Sequence, residues 1–258
     1  MTTRRKYMIE GICAAALEAG AEIMKIYQSD FEVQTKADES PVTAADEAAE
    51  KIILEHLAAL TPDIPVVAEE SVAAGVVPDI SGGTFWLVDP LDGTKEFVSR
   101  NGEFTVNIAL IENSRPTMGV VFAPARERLF YASGPGEAFS AEGSGSANPI
   151  CVRTPDEDGL IVVASRSHRD AKTDEYLEQF KVKEIRSAGS SLKLCLVAAG
   201  EADLYPRLGR TMEWDIAAGH AVLSGAGGNV KTLEGADFLY SKPEFENGFF
   251  VARGFDVD

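Results

Sequence analysis

Residues 85–97 read Phe-Trp-Leu-Val-Asp-Pro-Leu-Asp-Gly-Thr-Lys-Glu-Phe, and this stretch decides how the rest of the chain is read. The apolar run 85–88 predicts a buried strand. That strand delivers two carboxylates, Asp89 and Asp92, to its carboxyl end, and Gly93-Thr94 then opens a helix. Acids and free backbone N–H groups therefore meet at one point. The combination suits a hard divalent cation holding a phosphate.

On the amino side, Met8, Ile12, Ala15, Ala19, Ile23 and Ile26 recur at spacings of three and four, which predicts an amphipathic helix over 3–28. A polar turn over 36–41 precedes a second helix over 43–60, with Asp46, Glu47 and Glu50 in its first turns. A short strand over 65–68 ends in Glu69-Glu70, and the Gly/Pro-rich stretch 72–83 reads as a loop. On the carboxyl side, strand-like runs at 104–111, 117–123 and 128–132 predict an antiparallel meander. The Gly/Ser/Ala-rich stretch 140–148 is the candidate internal boundary. It would divide the chain into an α+β half, 1–148, carrying Glu69 and the Asp89–Thr94 motif, and an α/β half, 149–258, carrying Asp215. Beyond it the pattern predicts a strand at 160–164, a helix at 170–180 and a strand-turn-helix at 185–199. A short strand at 203–205 and a last long helix at 214–223 follow, ended by the glycines of 225–228.

The chain has 258 residues, with 41 acidic against 24 basic side chains and a net charge of −17. Such a balance argues against nucleic acid polymers and anionic membrane surfaces as partners, although a local basic pocket still admits a small anion. Cys13, Cys151 and Cys195 are scattered and lack metal-ligand spacing, which points to a reducing compartment. Glu10, Glu18 and Glu22 interrupt the apolar residues after the basic start, so neither a signal peptide nor an integral membrane segment is expected. The cytoplasm is the expected location, with peripheral association at the inner membrane and a homodimer both left open.

For a randomly chosen acid in so acidic a chain, a solvated surface position wins about nine times in ten. Glu69, Asp89, Asp92 and Asp215 differ because all four sit at element ends, where open α/β sheets build their sites. Asp215 by itself reads equally as a helix N-cap, worth about 1 kcal/mol. Pro90 and Leu91 separate Asp89 from Asp92, whereas phosphatases with an aspartyl nucleophile use Asp-x-Asp-Gly-Thr. EF-hand, Walker A, His-Glu-x-x-His and Gly-x-Ser-x-Gly patterns are absent. His56, His168 and His220 share no pattern, and His220 reads as a packing or capping residue.

The set Ala68-Glu69-Glu70-Ser71, Asp89-Pro90-Leu91-Asp92-Gly93-Thr94 and Trp214-Asp215-Ile216-Ala217-Ala218-Gly219 resembles the inositol monophosphatase superfamily of metal-dependent, lithium-sensitive phosphatases. Within it, Thr94-Lys95-Glu96-Phe97, Gly189-Ser190-Ser191-Leu192-Lys193 and Tyr205-Pro206-Arg207-Leu208-Gly209 resemble the 3'(2'),5'-bisphosphate nucleotidase branch. The resemblance implies an α/β (α+β) fold, a layered αβαβα sandwich, with two or three Mg²⁺ per site. Glu69, Asp89, the Leu91 carbonyl, Asp92 and Asp215 would be the metal ligands, with Glu70 acting from behind Glu69. Asp46 would hydrogen-bond Thr94, and this pair, with Glu69, would serve the attacking water. Gly93 and Thr94 would hold the phosphoryl group, which lies against Glu69, Leu91, Asp92 and Asp215.

Ser190 and Lys193 would grip a second phosphate or the ribose, and Arg207 would pair with a 5'-phosphate. Each of these also reads as a cap or a solvated cation. The implied reaction is Mg²⁺-dependent hydrolysis of the 3'-phosphate of adenosine 3',5'-bisphosphate to AMP and phosphate, with inhibition by Li⁺. An inositol 1-phosphate or other sugar-phosphate phosphatase is the alternative. A catalytically silent nucleotide or metal sensor is the alternative in another class, and a scaffold role has only the 72–83 loop in its favour.

Overall fold

Thr2 starts the first helix, its hydroxyl accepting the Arg5 N–H at 3.3 Å. In this computed structural model, residues 2–29, 33–35, 41–165 and 171–255 are described, with only the backbone at 33–35 and 41–43. Helix α1 (Thr3–Tyr27) buries the predicted stripe of Met8, Ile12, Ala15, Ala19 and Ile23, and α2 (Ala44–Leu60) packs along it. Between them lies a short antiparallel pair, β1 (Val33–Thr35) and β2 (Pro41–Thr43), which the sequence pattern did not indicate. The polar turn expected over 36–41 lies, except for Pro41, outside the described residues; so do His168 and the first residue of the helix expected from 170.

The first sheet follows in chain order: β3 (Val66–Ala68), β4 (Thr84–Asp92), β5 (Thr105–Glu112), β6 (Arg115–Ala123), β7 (Arg128–Ala132), β8 (Ala138–Glu142) and β9 (Asn148–Pro149). Short helices α3 (Glu69–Ala73) and α4 (Thr94–Val98) follow β3 and β4. Only β3 and β4 pair in parallel; the remainder is the expected meander, extended by two strands. The Gly/Ser-rich stretch 140–148 forms part of the β8–β9 edge hairpin.

A five-stranded sheet of order β11-β10-β12-β14-β13 forms from β10 (Leu160–Ser165), β11 (Val182–Ala188), β12 (Leu204–Arg207), β13 (Asn229–Thr232) and β14 (Phe250–Arg253). It is parallel across β11, β10 and β12 and antiparallel across β14. Its helices are α5 (Ala171–Leu177), α6 (Leu192–Ala198) and α7 (Glu213–Gly225).

Strand periodicity assigns the layers. Trp86 and Val88 join the core under α1 and α2, whereas Phe85 and Leu87 join the core shared with α6, α7 and the second sheet. A third cluster, Leu160, Val162, Leu177, Leu204 and Val251, lies between the second sheet and α5. The layers are therefore α1/α2, first sheet, α6/α7, second sheet and α5: the αβαβα sandwich. With both faces of β4 covered, its apolar run has no polar alternation. Each fully buried Phe or Leu there contributes roughly 1.5–3 kcal/mol. The one polar atom of Trp86, its indole N–H, donates to the Thr61 hydroxyl at 2.9 Å.

Two glycines let α7 occupy the middle layer. A Cβ on Gly119 of β6 would stand 2.8 Å from the Ala218 carbonyl oxygen, and one on Gly219 would stand 2.6 Å from the Leu194 side chain. The close approach brings Asp215, at the start of α7, to the end of β4.

Candidate active site

The β4–β5 register runs from Asp89↔Asn107 to Asp92↔Thr105, so three steps on β4 face two on β5. Pro90 sits in this bulge and has no N–H to leave unpaired. The Leu91 N–H instead donates to the Asp89 carboxylate at 3.0 Å. Gly93 then adopts φ +91°, and a Cβ there would lie 3.1 Å from the Glu103 carbonyl oxygen, so glycine is required on both counts. The Thr94 hydroxyl donates to the Leu91 carbonyl at 3.4 Å.

Glu69 opens α3 directly after β3, whose Ala68 pairs with Val88, so Glu69 sits beside Asp89. The start of α3 is held from α2. Glu50 accepts the Glu70 N–H at 2.8 Å, the Ser71 N–H at 2.9 Å and the Ser71 hydroxyl at 2.6 Å. These amides belong to a helix's first turn, which has no internal partners. Glu50 stands one turn beyond Asp46 on α2, on the same face of that helix.

Asp215 is not an N-cap. Helix α7 begins one residue earlier than expected, at Glu213, and Asp215 occupies its third position with its carboxylate accepting the Met212 N–H at 2.8 Å. Asp92 accepts the Ser191 N–H at 2.6 Å and the Asn107 amide at 3.4 Å. The Ser191 hydroxyl donates to the Asp215 carbonyl at 2.5 Å, so one serine ties the two acidic elements together.

Asp89 and Asp46 are each only 1% exposed. Burial, and then the charges of Glu69, Asp92, Asp215 and Asp46, push the Asp89 carboxyl well above the usual range. Burial, followed by Asp92 and Glu69, does the same to Asp215. Asp92 rises to about 6 through burial, opposed by the Lys193 charge and the Ser191 N–H. By exposed area Asp92 and Asp215 are only half-buried; the shifts reflect protein packed around their carboxyl groups. The expected acids on α2, α3, β4 and α7 thus share one electrostatic neighbourhood. Among the described residues, no three His, Cys, Asp or Glu side chains stand close enough as placed to form a ready cage. The donors on offer, carboxylates and the Leu91 carbonyl, are all oxygen, which fits a hard divalent cation such as Mg²⁺.

The expected cationic residues stand next to this corner. The turn after β11 places Gly189 where a Cβ would be 2.6 Å from the Glu103 carbonyl oxygen, and holds Ser190 at φ +47°. Lys193 is buried, and its ammonium donates to the Ser190 carbonyl at 2.6 Å and the Ala188 carbonyl at 3.3 Å. It therefore braces its own turn. Burial lowers its pKa to about 8, opposed by the charge of Asp92. Arg207 donates one N–H to the Arg210 carbonyl at 3.0 Å, while its buried Nε has no hydrogen-bond partner among the described residues. The Arg207 charge acts on both Lys193 and Asp215. Lys95 is exposed.

His220 is a packing residue, as expected, with Nδ1 2.9 Å from the Tyr240 hydroxyl and its pKa pushed down to about 3 by burial. Sequence reasoning missed Glu103, Asn107 and Glu213, placed Ser191 in the Ser190–Lys193 turn without its ties to Asp92 and Asp215, and gave Glu50 only a helix-dipole role. Asn107 carried a signal, being an amide inside an apolar run. Glu213 carried none, yet it is fully buried and accepts the Ser241 and Lys242 N–H groups at 3.0 and 2.9 Å.

Five alternating layers, with acids gathered where β3, β4 and α7 end or begin and a cationic turn beside them, define a layered α/β protein built around an acidic, anion-flanking centre. The chain belongs to the inositol monophosphatase family, whose model matches residues 4–248. It is 50% identical over 252 residues to a Salmonella typhimurium protein named 3'(2'),5'-bisphosphate nucleotidase CysQ, covering 97% of this chain and 99% of that one. The Escherichia coli protein of the same name is 48% identical over 252 residues, with the same coverage. Among solved structures, CysQ from Bacteroides thetaiotaomicron superposes with a TM-score of 0.82 at 37% identity, covering 97% of both chains. An inositol monophosphatase from Anabaena superposes with a TM-score of 0.77 at 28% identity, covering 96% of this chain and 91% of that one.

Proposed function

We propose that the protein is a Mg²⁺-dependent phosphomonoesterase that removes the 3'-phosphate of adenosine 3',5'-bisphosphate, giving AMP and phosphate. The observation that carries this reading is the shared electrostatic neighbourhood of Asp89, Asp92 and Asp215 at the end of β4 and the start of α7, where burial raises every carboxyl and neighbouring acids raise those of Asp89 and Asp215 further. A cluster of that kind is stabilised by cations. The near-complete alignment with proteins named as bisphosphate nucleotidases supports the nucleotide as substrate.

Glu69, Asp89, Asp92, Asp215 and the Leu91 carbonyl would hold the cations. Bound there, Mg²⁺ supplies positive charge to the phosphoryl oxygens and acidifies water, the two needs of phosphate ester hydrolysis. Asp46 and Thr94 orient the attacking water, a role worth about 10²–10⁴-fold. The backbone N–H groups of Gly93 and Thr94 hold phosphoryl oxygens, and glycine at 93 lets the main chain come close. Ser190 and Arg207 bind the second phosphate. The buried Nε of Arg207, a donor without a partner among the described residues, favours that assignment. Lys193 supplies charge from beneath the turn. No helix among the described residues is long and apolar enough to cross a membrane.

The test is turnover of adenosine 3',5'-bisphosphate, inositol 1-phosphate and fructose 1,6-bisphosphate, each with and without Mg²⁺. The bisphosphate nucleotide is expected to be cleaved fastest, and only with Mg²⁺. Faster cleavage of either sugar phosphate would assign the protein to another branch of the family.

A further inference from the structure

Glu103 lies just before β5, outside the acid cluster, yet it touches both parts of the site. It is only 5% exposed. Its N–H is fixed by the Asn101 side chain at 2.9 Å. One carboxylate oxygen accepts the Gly189 N–H at 2.9 Å, and the other accepts from Arg126 at 2.8 Å. Its carbonyl oxygen is the wall behind two glycines, 3.1 Å from a Cβ on Gly93 and 2.6 Å from one on Gly189. A single residue of the segment leading into β5 therefore fixes the height of the turn from the second sheet above the acid corner. The turn's other outside anchors are at Ser191, whose N–H lies on Asp92 and whose hydroxyl lies on the Asp215 carbonyl.

We propose that Glu103, held by Arg126, is a positioning residue that sets specificity for the substrate's second phosphate. It rests on the nucleotidase reading above. Ser190 is held at positive φ, and Lys193 spends hydrogen bonds on the turn's own carbonyls, so the turn's shape depends on anchors outside it. Removing the Glu103 carboxylate frees the Gly189 end while the Ser191 end stays on Asp92. The second phosphate then loses its alignment before the reacting one does. Arg126 is half-exposed, so its share is smaller: it holds the buried carboxylate in its orientation from the solvent side.

The experiment compares kcat and KM of the wild type, Glu103→Ala, Glu103→Gln and Arg126→Ala on adenosine 3',5'-bisphosphate and adenosine 3'-monophosphate. In Glu103→Ala, the preference for the bisphosphate in kcat/KM should fall about tenfold, mainly through KM, as expected for one lost anchoring hydrogen bond to a charged group. Glu103→Gln keeps an oxygen for the Gly189 N–H and should lose about threefold, with Arg126→Ala no worse. If Glu103→Ala does not fold, the Glu103→Gln ratio decides. Equal slowing on both substrates, or an unchanged preference, overturns the proposal in favour of a plain staple between sheets. A wild type with no preference for the bisphosphate would instead overturn the nucleotidase reading, and this inference with it.

Discussion

The acid corner at Asp89–Thr94 and the turn at Gly189–Lys193 lie side by side but are built on opposite principles. The corner holds carboxyl groups that burial and neighbouring acids push above their usual range, an arrangement that the proposed cations would relieve. The turn is held by hydrogen bonds: its lysine lies on its own carbonyls, and its amides lie on Glu103 and Asp92. On the proposed reading, bonds are broken where electrostatic tension is stored, and the substrate is recognised at the braced loop. They meet in the hydrogen bond from Ser191 to Asp92.

The largest effect should come from the corner. Asp89→Asn is expected to lower kcat by at least about 10³-fold while the thermal midpoint does not fall, because a strained buried charge has been removed. Substantial turnover in this variant would deny the corner its chemical role. Turnover by the wild type and its loss in the variant would sink the sensor alternative.

Lys193→Ala should sharpen the contrast, raising KM for the bisphosphate about 10–100-fold and changing kcat less than about threefold. A comparable loss in kcat would mean that the two regions act as one. Steady-state kinetics on the two variants decide it.

The smallest effect on activity belongs to His220, which lies in neither region. Its ring resists protonation down to about pH 3, whereas the unfolded chain takes the proton below about 6.5. The folded pKa being depressed, stability is lost as pH falls through that window, by up to about 1.4 kcal/mol per pH unit. His220→Gln should flatten that acid limb in thermal unfolding and leave turnover near neutral pH unchanged. An identical slope in the variant would contradict the assignment.

Much of this could be read from the residues in order. The run 85–88 announced a strand because both of its faces are covered, and α1 announced itself through spacings of three and four. The strands β1, β2, β13 and β14 escaped because three- and four-residue strands beside turns carry no periodicity. Helix α3, at five residues, is too short to show one, and α4, equally short, was legible only through the Gly93-Thr94 that opens it. The acids were legible because each sits at the end of an element. Ser191 and Glu103 were not, since their roles are hydrogen bonds between residues 99 and 86 positions apart, and no local pattern encodes which loops will meet. Glu50 stood among acids that favour any helix start, and only the fold shows that it caps a different helix.

The most direct test of the division between chemistry at the corner and recognition at the turn is the identity of the nucleotide product. Adenosine 3',5'-bisphosphate incubated with the protein and Mg²⁺, resolved by chromatography, should yield adenosine 5'-monophosphate, the 5'-phosphate having been retained at the turn. Accumulation of adenosine 3'-monophosphate would place the turn's phosphate at the reacting centre and contradict the account.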